Sequence, residues 1–146
     1  MRERSARLLL LAAMVLAGCA TGEPFKKLET IPPGKAVIYI YRPSAMGAAI
    51  AYDVKRGERV IITMKARGYY PYVTDPGEVE LWAQTESKAS VTLDVKVGEV
   101  YYVKAGIGVG FLVGRPRLNP VLAHEAEEEI TDCKLLVPKD SEAKKE

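Results

Sequence analysis

From Lys35 onward, the sequence consists of short runs of β-branched and aromatic residues that are separated by turn residues. Such runs favour strands, because helices in globular proteins usually need about ten or more residues. No long helical pattern interrupts this series until near Asn119. The pattern predicts a mainly β protein with about six or seven strands, arranged as a small antiparallel sandwich or a partly open barrel.

The first of these runs, residues 36–41, is apolar on both faces. This is typical of a central strand that is covered on each side. Pro43 ends the run, because proline has no N–H to donate to a sheet. We therefore expect residues 36–41 to lie at the centre of the core.

Three turn sequences divide the strands that follow. Arg56-Gly57 contains a glycine that can adopt φ > 0, which predicts a hairpin between residues 50–55 and 58–64. Pro76-Gly77 and Gly98-Glu99 are also turn sequences. The strands predicted around these two turns are residues 69–73, 78–85, 91–97 and 100–105. The turn at Gly98-Glu99 predicts a second hairpin, and Pro71 restricts its own strand to a sheet edge.

One helix is predicted near the C-terminus. Asn119-Pro120 provides a helix N-cap followed by proline at the first helical position. Apolar residues then recur at steps of four and three, namely Leu122, Ala126, Ile130 and Cys133. The full expectation is an immunoglobulin-like or prealbumin-like β-sandwich with one closing α-helix.

The N-terminus has the features of a bacterial leader peptide. A basic region containing Arg2, Arg4 and Arg7 precedes an apolar run over residues 8–16, and small residues then lead into a cysteine. A transmembrane anchor is the alternative, but a span needs about 20 apolar residues and this run is shorter. The sequence Leu16-Ala17-Gly18-Cys19 resembles a lipoprotein lipobox. The resemblance implies cleavage before Cys19, a diacylglycerol thioether on its thiol, and an acylated amino terminus.

The predicted leader divides the chain into segments. Residues 1–18 are the signal peptide, 19–34 the lipidated N-terminus and tether, 35–137 the sandwich domain with its helix, and 138–146 a charged tail. The tether is predicted from its glycines and prolines, which show little periodicity. Ala20, rather than aspartate, follows the cysteine and resembles an outer-membrane sorting pattern. The expected location is the outer membrane, with the domain facing the periplasm.

The charge balance argues against a nucleic-acid partner. The chain has 21 basic and 19 acidic residues, and the leader contains Arg2, Arg4 and Arg7 against Glu3. The mature chain is therefore neutral, and it contains no cluster of five or more basic residues. Attachment to a membrane would depend on the lipid, and several acyl chains hold firmly.

The few chemically reactive side chains do not form a recognisable catalytic motif. Cys133 would be the remaining thiol, and on an apolar helix face we interpret it as a small buried hydrophobe rather than a redox or cross-linking site. His124 and Glu128 are spaced like part of a zinc-binding helix, but the chain has one histidine. We interpret this stretch as a solvated acidic face. The sequence predicts no enzyme, no metal and no cofactor.

Glycines at 106, 108 and 110 resemble a phosphate-binding loop only weakly. Phe111 stands where a dinucleotide fingerprint needs glycine, and no helix follows directly. We interpret these glycines as sites of close backbone approach or as a bulged loop.

The aromatic residues give the one candidate binding surface. The chain has eight tyrosines, and Trp82 lies among polar residues on the predicted exposed face of its strand. Tyr70 and Tyr72 share one face of the preceding strand, whereas Tyr69 takes the other and is expected to be buried. If the two strands paired across Pro76-Gly77, then Tyr70, Tyr72 and Trp82 would form an aromatic patch. Such a patch suits a sugar ring or a protein partner.

Several segments together resemble a known bacterial lipoprotein family. They are residues 37–43 (VIYIYRP), 68–70 (GYY), Pro76-Gly77 and 98–103 (GEVYYV), with a Glu-rich helix and Leu135-Leu136 further on. The chain is similar over residues 35–104 to domain-of-unknown-function family 2846. The resemblance implies a small β-sandwich on an envelope lipoprotein, and it transfers no catalytic residue. Residues 55–58 depart from the family pattern because they are compact and charged.

Two functions follow as expectations. The first is a non-enzymatic envelope lipoprotein that serves as a structural or protein-interaction module at the membrane. The second is a lipoprotein that binds cell-wall glycan or another saccharide through the aromatic patch.

Overall fold

The structure is a computed structural model that describes residues 18–142. It is mainly β, with two sheets and a C-terminal helix, as the sequence predicts. The strands are β1 Ala36–Arg42, β2 Tyr52–Arg56, β3 Arg59–Met64, β4 Gly68–Thr74, β5 Gly77–Gln84, β6 Lys88–Val95, β7 Val100–Gly108, β8 Arg115–Val121 and β9 Lys134–Leu135. The helices are α1 Ala123–Glu129, followed by a 3₁₀ turn at Ile130–Asp132, and α2 Lys139–Glu142.

The first sheet has the strand order β8-β7-β1-β4-β9, and the second has the order β3-β2-β5-β6. Strand β1 lies at the centre of the first sheet, antiparallel to β4 and parallel to β7. All seven of its residues are buried. The prediction of a central strand covered on both faces is therefore confirmed.

The two faces of β1 pack against different layers. Ile38 and Ile40 point into the core between the sheets, together with Val54, Leu81 and Val103. The other face belongs to a second core, in which Val37, Tyr39, Tyr41, Tyr69 and Tyr102 pack against Ala126, Ile130 and Cys133. The fold therefore has three layers: the second sheet, the first sheet, and an outer layer that contains α1.

The hairpin of β2 and β3 is confirmed, with a shift of its turn by one residue. The turn residues are Gly57 and Glu58 rather than Arg56-Gly57, and Gly57 has φ +55°. A register shift between Val54 and Lys55 accompanies it.

The hairpin predicted at Gly98-Glu99 is wrong, and the condition for the aromatic patch, that the strands on either side of Pro76-Gly77 pair, is not met, because each turn connects one sheet to the other. The turn at Pro76-Gly77 joins β4 of the first sheet to β5 of the second. The turn at Gly98-Glu99 likewise joins β6 to β7, and its Gly98 N–H donates to the Lys35 carbonyl oxygen at 2.8 Å. Strand β7 then pairs in parallel with β1, which a direct hairpin could not give.

The helix begins later than predicted. Asn119 and Pro120 lie in β8, and α1 has Leu122 as its N-cap. Strand β8 lies at the edge of the first sheet, where Pro116 and Pro120 are tolerated because alternate N–H groups need no partner there. The predicted acidic helix is thus short, and its apolar residues Ala126, Ile130 and Cys133 still face the second core.

Residues 20–34 do not form the free tether that their composition predicts. The Ala20 N–H donates to the Ala66 carbonyl oxygen at 2.9 Å, and Pro24 bridges to Lys134. The ring of Phe25 then packs edge-on against Tyr39 and Tyr69, with centroid distances of 5.8 and 5.0 Å. The segment belongs to the outer layer because these apolar and hydrogen-bonding groups find partners on the sheet.

The predicted charged tail, residues 138–146, contains a short helix near its start. Helix α2 occupies Lys139–Glu142, and the Lys139 ammonium lies 3.6 Å from the Asp53 carboxylate. Residues 143–146 lie outside the described residues, as does most of the predicted signal peptide, residues 1–17.

Candidate functional site

The sandwich has two ends, and one of them contains Cys19. We call it the Cys19 end. Strands β1, β3, β5 and β7 all finish there, and the loops at this end are residues 43–51, 65–67, 85–87 and 109–114. The opposite end contains the turns at Gly57 and Gly98.

Cys19 lies directly against the folded domain. It forms a parallel bridge with Ala66 in the loop between β3 and β4, and it is partly exposed. The preceding Gly18 is so close to the 43–51 loop that a side chain there would collide with the Ala48 carbonyl oxygen. Of the four lipobox residues, the structure places Gly18 and Cys19 at this edge, while Leu16 and Ala17 lie outside the described residues.

Arg42 holds the adjacent loop in place from inside the core. Its side chain is fully buried, and its guanidinium donates to the carbonyl oxygens of Ile50 at 2.7 Å, Met46 at 3.0 Å and Gly47 at 2.9 Å. Gly47 has φ +67°, which the tight loop requires and which favours glycine. Arg42 therefore fixes the loop on which Gly18 rests.

No carboxylate among residues 18–142 forms an ion pair with Arg42, and its buried Nε has no hydrogen-bond partner in that part of the chain. Burial lowers the pKa of the guanidinium from its ordinary value. The ring of Tyr52, 5.8 Å from the guanidinium carbon, provides a cation–π contact. In the sequence, Arg42 stands out only as part of a family motif, because its structural role depends on the loop geometry.

The 109–114 loop is the most exposed apolar feature of the domain. The side chains of Val109, Phe111 and Leu112 are 89%, 91% and 83% exposed, and Val113 is 45% exposed. We call residues 109–113 the apolar tip. The sequence-based interpretation of this region concerned only its glycines. The run of large apolar residues between Gly108 and Gly114 was the signal that could have identified it.

Glu86 supports the apolar tip from the neighbouring loop. Its carboxylate accepts hydrogen bonds from the N–H groups of Phe111 at 2.6 Å, Leu112 at 2.9 Å and Val113 at 3.3 Å. The Leu112 N–H contributes most to holding the pKa of Glu86 below its ordinary value. A side chain at Gly110 would collide with this carboxylate and with the Cα of Gly114, so the predicted close approach of backbone is present at this glycine. It is not present at Gly106, where no atom lies within 4 Å of an added Cβ.

The structure does not bring Trp82 together with Tyr70 and Tyr72. Trp82 alternates with the buried Val79, Leu81 and Ala83, so its side chain lies on the outer face of the second sheet. Its N–H donates to the Gly57 carbonyl oxygen at 2.9 Å. The ammonium groups of Lys55 and Lys88 lie 5.0 and 4.8 Å from the ring centroid, so the ring already has cationic neighbours.

Tyr70 and Tyr72 share one face of β4, as predicted, and both are half-buried against the core between the sheets. The Tyr72 hydroxyl accepts a hydrogen bond from Arg56 at 3.2 Å, and burial raises the pKa of Tyr70. They line a cleft of about 410 Å³ with Arg56 and Arg59. Tyr69 takes the other face and is 3% exposed, which confirms that it packs inward.

A larger groove lies on the outer layer. It has a volume of about 760 Å³ and is lined mostly by apolar atoms of the 23–30 segment, Tyr69, Pro71 and Leu135. Leu28 is 39% exposed within it. The groove exists because residues 20–34 pack along the sheet, so it could not be predicted from a free tether.

Cys133 is buried, with 1% of its surface exposed, as predicted. Burial raises the pKa of its thiol to about 12, so the thiol is protonated at neutral pH and is a weak nucleophile. His124 is exposed at the start of α1. Glu127 and Glu129 instead bind the sheet: Tyr102 donates to Glu127 at 3.0 Å, and Tyr41 donates to Glu129 at 2.7 Å.

No helix within residues 18–142 is long and apolar enough to cross a membrane. The chain is similar to an uncharacterized protein of Haemophilus influenzae, with 22% identity over 86% of this chain and 80% of that protein. No solved structure matches the chain. The family described as "Protein of unknown function (DUF2846)" matches residues 32–114, which is more than half of the chain. The chain therefore belongs to the DUF2846 family.

Proposed function

We propose that this protein is a non-enzymatic lipoprotein of the cell envelope, whose sandwich is a structural or protein-interaction module at the membrane surface. Acyl chains on Cys19 would anchor it, in the outer membrane where the host has one, with the domain facing the periplasm. The lipobox-like sequence supplies the anchoring site, and the folded domain begins immediately after it.

The observation that carries this proposal is the position of Cys19 against Ala66. Cleavage before Cys19 would remove the leader and leave the structured part of the chain from Ala20 onward intact. Because Ala20 is already hydrogen-bonded to Ala66 in the loop between β3 and β4, the domain would lie next to the bilayer rather than at the end of a long tether.

A non-enzymatic role is supported by what the buried polar groups do. Arg42 binds loop carbonyls, Tyr41 and Tyr102 bind helix carboxylates, and the Cys133 thiol is held in its protonated form. The arginine and the two tyrosines have hydrogen-bond partners within the fold, and the thiol is buried in the core. They stabilise the layers and are not directed into a shared cleft.

The groove of the outer layer supports an interaction with another protein. It is apolar and open, and it is built by the same segment that would lead to the lipid anchor. A partner bound there would be held near the membrane surface. Glycan binding has less support, because Trp82 and the Tyr70–Tyr72 pair occupy different faces.

The anchoring step is tested by metabolic labelling with a clickable fatty acid in cells that express the full chain. Wild type should incorporate the label, and Cys19→Ser should not. Cys133→Ser is the matched control, because it removes the other cysteine and should leave labelling unchanged. Equal labelling of wild type and Cys19→Ser would contradict the proposal.

The interaction is tested with a photo-crosslinking amino acid at Leu28 in the groove. Val60, on the edge strand β3, is the control because it has the same 39% exposure. We expect a discrete crosslinked protein from position 28 and none from position 60. The absence of a crosslink at Leu28, together with retention on purified peptidoglycan that is lost in Tyr70→Ala/Tyr72→Ala/Trp82→Ala, would favour the glycan-binding alternative.

A further inference from the structure

The side chains of the apolar tip are strongly hydrophobic, yet the described part of the chain leaves them exposed. Phe111 and Leu112 are 91% and 83% exposed, and they stand beside Val109 at 89%. Met46, in the adjacent loop of the same end, is 60% exposed. Contiguous exposed apolar residues of this kind mark a surface that is covered by something else.

Three backbone N–H groups of the tip already have hydrogen-bond acceptors, which suits an environment without water. An N–H group that enters a bilayer must already be hydrogen-bonded, because the lipid interior offers no acceptor. Glu86 accepts hydrogen bonds from three consecutive N–H groups of the tip, those of Phe111, Leu112 and Val113. Its charge is offset by these donors and by Arg115, whose Nε lies 3.9 Å away. The side chains can therefore be buried in lipid while their N–H groups keep their partner.

The tip lies at the end of the sandwich to which Cys19 belongs. The loops that contain Gly47 and Gly114 both pack against Ile107. A Cβ atom built on Gly47 would lie 3.1 Å from the Ile107 side chain, and one built on Gly114 would lie 2.8 Å from it. The loop that contains Gly47 also contacts Gly18, the residue before Cys19. A lipid attached to Cys19 would thus place the tip on the membrane side of the domain.

The charges around the tip fit an anionic lipid surface. Lys65, Arg67, Lys88 and Arg115 lie in or beside the loops of the Cys19 end and are exposed. The acidic residue of these loops is Glu86, which is already hydrogen-bonded to the tip. Asp132, next to Lys134 at the same end, is also exposed, so basic residues outnumber acidic ones around the tip. Basic residues near a membrane surface are attracted to anionic headgroups.

We propose that the apolar tip inserts into the bilayer to which Cys19 is anchored, so that the protein stands on the membrane on its Cys19 end. This inference rests on the proposed lipid anchor. It adds a second, independent contact, which would fix the orientation of the domain. The groove of the outer layer would then lie at the side, where a protein partner can reach it.

The test uses the lipidated protein reconstituted into vesicles of phosphatidylethanolamine and phosphatidylglycerol. A polarity-sensitive NBD fluorophore is attached to Phe111→Cys at the tip, or to Val97→Cys at the opposite end. Val97 is the matched control because it is an exposed apolar residue, at 57%. Each variant has one reactive thiol, because Cys19 is acylated and Cys133 is buried.

We expect the fluorophore at position 111 to shift to shorter wavelength and to be quenched by spin-labelled lipids, while the fluorophore at 97 stays in water. Replacing Glu86 with Ala keeps every apolar side chain of the tip and should reduce the quenching at position 111. If the vesicle-bound protein shows water-like emission at position 111, the tip proposal fails while the anchor stands. If no acyl chain is present, the two labelled variants are made in a Cys19→Ser background, so that each again has one reactive thiol, and are added to preformed vesicles; a blue shift at position 111 supports insertion of the tip, and its absence contradicts it.

Discussion

Tyr41, at the centre of the first sheet, donates a 2.7 Å hydrogen bond to the carboxylate of Glu129 at the end of helix α1. Lys104, on the neighbouring strand β7, binds the other oxygen of the same carboxylate. Burial of Tyr41 raises the pKa of its hydroxyl, so the group remains a hydrogen-bond donor over the whole range in which the protein would function. The helix is therefore fastened to the central strand β1, all of whose residues are buried.

Tyr41→Phe should weaken this attachment without changing the shape of the core. A hydrogen bond to a charged group is worth about 1.5–3 kcal/mol, so we expect a loss of about 2 kcal/mol in the free energy of unfolding. Tyr101→Phe is the control, because the Tyr101 hydroxyl binds Glu99 at 2.7 Å at an exposed position. Urea denaturation should separate the two variants, and equal stabilities would contradict the assignment.

Acid should loosen the outer layer first. Hydrogen bonds from Lys27 and Tyr102 lower the pKa of Glu127. Burial would raise the pKa of Glu129, but hydrogen bonds from Lys104 and Tyr41 outweigh this effect and hold that pKa below its ordinary value. A carboxylate with a depressed pKa stabilises the fold above its unfolded pKa, and that contribution is lost as the pH falls through the folded value.

The melting temperature should therefore be nearly constant near neutral pH and should fall below about pH 4.5. Glu127→Gln/Glu129→Gln should start from a lower melting temperature at neutral pH and fall less steeply on acidification. Thermal unfolding followed by circular dichroism across this range measures both effects. Parallel curves for the two proteins would show that other carboxylates control the acid response.

Gly68 at the start of β4 is required by packing. A Cβ at this position would lie 2.6, 2.7 and 2.8 Å from three side-chain atoms of Leu136. Gly68→Ala should cost about 1–3 kcal/mol, because the buried Leu136 must move as a whole. Gly106→Ala is the matched control in β7, where no atom lies within 4 Å of the added methyl, and its stability should change by less than about 1 kcal/mol. Chemical denaturation of both variants is the measurement.

Phe25 tests whether residues 20–34 belong to the fold. Its ring contacts Tyr39 and Tyr69, and the N–H groups of Lys26 and Leu28 donate to the hydroxyls of the same two tyrosines. Phe25→Ala should cost about 1–3 kcal/mol through lost burial and aromatic contacts. Leu28→Ala should cost less, because Leu28 is more exposed. If Phe25→Ala were as stable as wild type, the result would support the interpretation of residues 20–34 as a free tether.

The sequence was sufficient to predict those strands whose local residue pattern also determines their position in a sheet or their pairing partner. The two-faced apolar pattern of β1 places it at the centre of a sheet, and Gly57 reverses the chain between strands that pair directly. Turn residues at Pro76-Gly77 and Gly98-Glu99 also reverse the chain, but they do not encode whether the next strand joins the same sheet. That choice depends on how both faces of β1 are covered, which is a property of the whole fold.

The site was less predictable than the fold. The lipobox-like pattern predicts Cys19 as the anchoring residue, but the bridge to Ala66 depends on residues that are distant in sequence. The Asn119-Pro120 pair has helix-start chemistry, yet a free sheet edge accepts it equally well. Glu86 and the tip are 25 to 27 residues apart in the chain, so the carboxylate's role as their acceptor appears only in three dimensions.

We propose that the mature protein begins at lipidated Cys19, next to the start of the folded domain. Intact-mass spectrometry of the full-length gene product, purified from membranes in detergent, measures this. We expect a mass equal to residues 19–146 plus the diacylglycerol and amino-terminal acyl groups, and an unmodified Cys133 peptide after digestion. A protein that retains residues 1–18, or one that starts at Cys19 with no added lipid, would show that Cys19 is not the anchoring residue.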